Sequence, residues 1–172
     1  AEVDGAPLST DAVFRIQSMT KPISAVAALR MVERGRIALD DSIDPWIPEL
    51  ADRRVLASPD AELTDTVPAR HPITLRHLLT NTSGYGSIMV DSPLRRAMIA
   101  NGTDAGPEPT VLGAEDWISR LGQLPLAFEP GEGWRYHQSF SILGVLLSRM
   151  AERPLEDHLR DDLFAPLGMV DT

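Results

Sequence analysis

Ser18 and Lys21 stand three residues apart in Gln17-Ser-Met-Thr-Lys21-Pro22, just ahead of a run rich in Ala and Leu. If that run is helical, the two side chains share one face about 4.5 Å apart along the axis, within hydrogen-bonding reach. A serine hydroxyl is a weak nucleophile until a base removes its proton, and a lysine kept neutral by burial can be that base. Lys21 is the single lysine among sixteen Lys and Arg residues. Arginine stays protonated at any workable pH, so of those sixteen only Lys21 can accept a proton. A helix start also offers unpaired N–H groups, Ser18's own included, where a carbonyl oxygen would gain negative charge. The same spacing fits a plainer arrangement, a serine cap followed by a solvated lysine.

Other chemistry-bearing residues are sparse. Tyr136 precedes an apolar stretch and, on its own, reads as a tyrosine packed at the mouth of a buried helix. His137 is adjacent to it and so points elsewhere. His71, His77 and His158 read as surface or capping residues, and no His-Glu-x-x-His spacing is present, so neither a metal nor a cofactor is expected. Trp46, Trp117 and Trp134 read as core, with Trp134 also able to form a cleft wall. The Gly-x-Ser-x-Gly turn of α/β-hydrolases is absent, since Gly84 directly follows Ser83 and Ser87 lacks the downstream glycine.

The elements that must position these residues are mainly helical. A helix is expected from near Ser18, with Pro22 tolerated in its first turn and Gly35 closing it. Five prolines between Asp40 and Pro72 exclude a long helix there. A hairpin with arms Arg54–Ala57 and Leu63–Val67 around Ser58–Ala61 is expected instead. Thr74 is placed to cap a short helix through Leu79, followed by a turn at Thr82–Gly86. Ser92-Pro93 opens a further helix and Asn101-Gly102 closes it. Trp117, Leu121 and Leu124 fall on one helical face that Pro125 stops. Ser139–Met150 forms a buried helix, and Pro154 starts the last one, ending near Phe164, with Glu152–Asp162 as its solvated side. Residues 1–15 read as a loop or strand exit.

Composition narrows the function classes. The 172 residues are 43% hydrophobic and 24% charged, the range of a globular domain. A formal charge of −9 repels phosphate backbones, so nucleic acid is not expected as a partner. The apolar runs at Ile23–Leu29 and Ile142–Leu147 are too short to span a membrane. The absence of cysteine excludes disulfides and thiol catalysis but leaves the compartment open. No basic-apolar-small signal stands at the start, and the compartment stays undecided, the cytoplasm slightly favoured over the periplasm or secretion.

Five segments in order carry a family resemblance: Phe14–Pro22 with Met31–Asp41, Ile73–Gly84, Phe128–Gly131 with Trp134–Tyr136, Leu143-Gly144, and Leu163–Met169. Together they resemble the serine β-lactamase and penicillin-binding-protein superfamily, nearest its class C-like and family VIII esterase branch. The resemblance implies Ser18 as the acylated nucleophile, Lys21 as its base, and Tyr136 as the tyrosine that relays protons to the leaving group and from the deacylating water. Lactamases of this branch carry Tyr-x-Asn and many esterases Tyr-Ser-x, whereas this chain reads Tyr136-His137-Gln138. Gln138 would offer an amide in place of the asparagine, and His137 is a second candidate substrate contact. The implied fold is α+β, with residues 1–172 as the mainly helical central part of one hydrolase domain and most of its antiparallel sheet outside the chain at both ends. The expected function is a serine hydrolase forming an acyl-enzyme on carboxylic esters, with weak β-lactam or peptide-amide hydrolysis. The alternative is a non-catalytic module binding peptidoglycan-like peptides or a partner chain. An incomplete sheet further implies a second chain or self-association that buries Ser139–Met150.

Overall fold

The computed structural model describes residues 2–3, 5–7, 9–106 and 110–172, and side-chain caps start two of its helices. The first fifteen residues include a small antiparallel ribbon, Glu2–Val3 (β1) against Ala6–Pro7 (β2). The loop expected there at Ala1, Asp4 and Leu8 falls outside the described residues. A 3₁₀ turn at Gln17–Met19 leads directly into α1, Thr20–Glu33, with Pro22 in its first turn. Arg54–Leu56 (β3) pairs antiparallel with Thr66–Pro68 (β4), Val55 opposite Val67. The second arm thus lies further along the chain than Leu63–Val67, and Leu126 bonds β3 through both its N–H and its carbonyl. Two two-stranded ribbons are the sheet content of the described residues.

The remaining helices match their sequence signals closely. The Thr74 hydroxyl accepts from the His77 N–H and caps α2, Leu75–Leu79, while His77 Nδ1 accepts in return from the Thr74 N–H. This is a capping box in which histidine stands where glutamate is usual. The Ser92 hydroxyl caps α3, Pro93–Asn101, and Gly102 ends it in the left-handed conformation (φ 79°) that favours glycine. Ala114–Gly122 (α4) buries Trp117, Ile118 and Leu121, but Leu124 lies beyond its end. Gln138–Ala151 forms α5, and Leu155–Leu159 (α6) continues through a π turn at Arg160–Phe164 into a 3₁₀ turn at Ala165–Leu167.

Helix α5 is the axis of the core. Ser139, Ile142, Leu143, Leu146 and Met150 recur at helical spacing and are buried, with Val145 and Leu147 buried on the flanks. They pack against α1, α2, α4 and α6 of the same chain. This corrects the expectation that Ser139–Met150 needs a sheet or a second chain to cover it. Truncating Leu143, which is fully buried, would cost about 2–5 kcal/mol. Far from the core centre, the Arg149 guanidinium donates to both Glu49 oxygens and to the Trp46 carbonyl, tying the end of α5 to the Pro48–Leu50 turn. A second, smaller cluster of Leu56, Ala61, Ile88, Leu94, Met98 and Ala127 sits under the hairpin loop, with Leu124 and Phe128 against it. The large apolar side chains left exposed include Val26 and Leu29 on α1. No helix among the described residues is long and apolar enough to cross a membrane.

Candidate active site

The Ser18 hydroxyl is presented at the head of α1 by the 3₁₀ turn that precedes the helix. One turn later, Lys21 Nζ donates to Ser18 Oγ at 3.1 Å, the reach that i, i+3 spacing allows. Ser18 is exposed and Lys21 half-buried. Gln17, immediately before the serine, holds φ 43°, a left-handed conformation that costs a non-glycine residue about 1–3 kcal/mol.

Tyr136 reaches this pair from the other end of the chain. Lys21 Nζ lies 4.5 Å from the centre of its ring. The Ser18 hydroxyl and the Lys21 ammonium beside its oxygen pull the phenol below its ordinary pKa. Residues 127–137 have almost no regular structure, so long-range bonds do the placing. Ala127, Gly131 and Arg135 donate their N–H groups to the carbonyls of Gly84, Thr82 and Asn81, and the Ser87 N–H donates to the Tyr136 carbonyl. The buried Glu129 carboxylate accepts from the Arg70 and His71 N–H groups at 2.6 and 2.9 Å. Ser83 and Ser139, both fully buried, share a 2.8 Å hydroxyl–hydroxyl bond that joins the Thr82–Gly86 turn to α5.

The next two residues part company. His137 has φ 95° and ψ −78°, a second strained non-glycine residue beside the site. Its ring meets Tyr136 edge-on at 6.1 Å. Burial, reinforced by the Lys21 charge and opposed by Asp104, pushes the imidazole below its usual pKa. His137 forms part of the wall between two cavities of about 520 and 440 Å³, the first of which also touches Lys21, and Gln17 borders both. Gln138, by contrast, is not brought to the cleft. It is completely buried, and its Nε2 donates to the Thr103 carbonyl at 3.3 Å.

Two sequence readings change. Trp134 is not core: it is 64% exposed and stacks on Tyr136 with ring centres 6.3 Å apart and planes 24° apart. Its place two residues before Tyr136 was the available signal, because i and i+2 in extended chain share a side. His158 is not a surface residue but only 3% exposed, with Nδ1 near the Arg153 guanidinium. Trp117 is buried and Trp46 partly so, as expected. Among the described residues no group of three or more His, Asp or Glu is placed to hold a metal.

The site thus places a serine hydrogen-bonded to a lysine at a helix head, with the Tyr136 ring against that lysine. A profile of the Beta-lactamase family matches residues 1–172. The chain belongs to that family. It is 36% identical to Esterase EstB of Burkholderia gladioli over 170 residues, which are 97% of this chain and 40% of the esterase. Among solved structures it is similar to EstCE1, described as a hydrolase with promiscuous acyltransferase activity (TM-score 0.76, 30% identity, 95% of this chain and 40% of that one). It is also similar to unliganded simvastatin synthase from Aspergillus terreus (TM-score 0.73, 32% identity, 96% of this chain and 40% of that one). The chain thus spans about 40% of the length of these relatives, and its fold is the mainly helical part of theirs.

Proposed function

We propose that this chain carries the nucleophile region of a serine hydrolase that cleaves carboxylic esters through an acyl-enzyme, and that residues 1–172 are the central helical part of one such domain. The observation that carries the reading is the 3.1 Å Lys21 Nζ–Ser18 Oγ contact with the Tyr136 ring 4.5 Å from the same nitrogen. In this mechanism Lys21 Nζ, acting as the neutral amine, takes the proton as Ser18 Oγ attacks the ester carbonyl. Tyr136 passes a proton to the departing alcohol, and in the second half-reaction takes one from the attacking water. The depressed phenol suits a group that must both give and take a proton. Acceptance of the acyl group by an alcohol instead of water uses the same residues, and the acyltransferase activity named for EstCE1 supports that variant. The esterase among the relatives favours catalysis over a purely binding module.

Esters should be far better substrates than β-lactams. No amide from Tyr136-His137-Gln138 is offered to the cleft, since Gln138 is spent on Thr103. A misplacement of about 1 Å in a positioning group can cost about a hundredfold. The test is mass spectrometry of the full-length protein after a fluorophosphonate, with p-nitrophenyl butyrate and nitrocefin assayed in parallel. The expected result is an adduct on Ser18, and a kcat/KM for the ester at least a hundredfold above that for nitrocefin. No adduct on Ser18 would sink the hydrolase reading, and comparable rates would sink the preference.

A further inference from the structure

We infer that Trp134 determines specificity for the alcohol half of the ester, forming a stacking wall for an apolar or aromatic leaving group; this rests on the hydrolase reading above. An indole is one of the largest apolar surfaces a protein can bury, yet the other residues of this chain leave this one 64% exposed. The segment around it is held firmly. A Cβ on Gly133 would come within 2.8 Å of the Phe128 ring, and the Arg135 guanidinium lies 5.9 Å from that same ring centre. The Arg135 N–H is bonded to the Asn81 carbonyl at 3.0 Å. An aromatic on a pinned segment, stacked on Tyr136, is pre-organised to receive a ligand, because little side-chain freedom is lost when one stacks on it.

The half of the substrate it meets follows from its neighbour. Tyr136 delivers the proton to the leaving oxygen, so that oxygen must lie within hydrogen-bond reach of the phenol. Trp134 is stacked on the same ring, and the leaving group's carbon skeleton starts one bond away from that oxygen. Trp134 is part of neither cavity wall at His137, so the indole is a surface separate from those cavities.

The experiment uses the full-length enzyme and acetates of ethanol, benzyl alcohol and 2-naphthylmethanol, alkoxide leaving groups of similar basicity. The wild type is expected to favour the naphthylmethyl ester in kcat/KM. Trp134→Ala should cut that preference about tenfold, the naphthylmethyl ester losing far more than ethyl acetate, and Trp134→Phe should retain part of it. A uniform fall on all three acetates would show that Trp134 only supports Tyr136, and overturn the inference. So would a wild type without the preference, or an Ala variant whose selectivity shifts along ethyl acetate to ethyl octanoate, the acyl series. Ester turnover that survives Ser18→Ala would instead remove the hydrolase reading itself.

Discussion

Replacing Lys21 with arginine puts a permanent positive charge beside Ser18 and removes the ability to take a proton, which separates a general base from a mere counter-ion. Lys21→Arg should therefore lower kcat/KM for p-nitrophenyl butyrate by about a hundred- to ten-thousandfold, approaching the loss in Ser18→Ala. A variant keeping more than a few per cent of the wild-type acylation rate would exclude the base role. Tyr136→Phe keeps the ring under Lys21 and removes only the phenol that Ser18 and Lys21 depress. Its loss in kcat/KM, which reports acylation, should be small for activated esters, whose leaving groups need little protonation, and at least tenfold larger for an alkyl ester of the same acid. Equal losses on both would argue against proton delivery by Tyr136.

At the scale of elements, the site depends on an irregular segment pressed against a turn. Gly86 has no room for a side chain, because a Cβ there would overlap that of Arg135, one residue from Tyr136. Ser87 then fixes the Tyr136 carbonyl. Gly86→Ala should cost about 1–3 kcal/mol of stability and displace Tyr136, with a fall in kcat/KM of tenfold or more. Gly113, before α4, offers the control: it has ordinary extended backbone (φ −64°, ψ 159°) and nothing within 4 Å of an added Cβ. Gly113→Ala should leave both the unfolding midpoint and activity unchanged. Should Gly86→Ala behave like Gly113→Ala, the turn is not what places Tyr136.

Across the whole molecule, stability should fall in mild acid. Burial pushes His77, His137 and His158 below their ordinary pKa of 6.5, and His77 Nδ1 must stay unprotonated to accept from the Thr74 N–H. A depressed histidine binds its proton more readily in the unfolded chain. Its contribution is therefore complete above about pH 6.5 and is lost as pH falls toward the folded-state values. Carboxylates held low by arginine, such as Glu49 beside Arg149, lose their contribution only at more acidic pH. The thermal midpoint should accordingly decline between pH 7 and 5, and a His77→Gln/His158→Gln pair should flatten that decline. A midpoint constant across the window in the wild type would show that these imidazoles titrate normally.

What the sequence determined by itself was local. Ser92-Pro93 with Asn101-Gly102, Thr74 ahead of Leu75–Leu79, and Ser18 spaced from Lys21 are each legible because the partners lie within one or two helical turns, where backbone geometry alone decides who meets whom. Tyr136 was legible only through resemblance, and three matters rested with the tertiary structure. Trp134 faces outward and Gln138 inward although both flank the same tyrosine, because bonds from Thr82, Asn81, Ser87 and Thr103 aim that irregular stretch. The hairpin shifted to Thr66–Pro68, where β3 is also paired with Leu126 from seventy residues further along. Helix α5 found its cover within the chain, since α1, α2, α4 and α6 converge on its apolar faces. Helical periodicity says that such faces must be buried, but only the packing of distant elements decides what buries them.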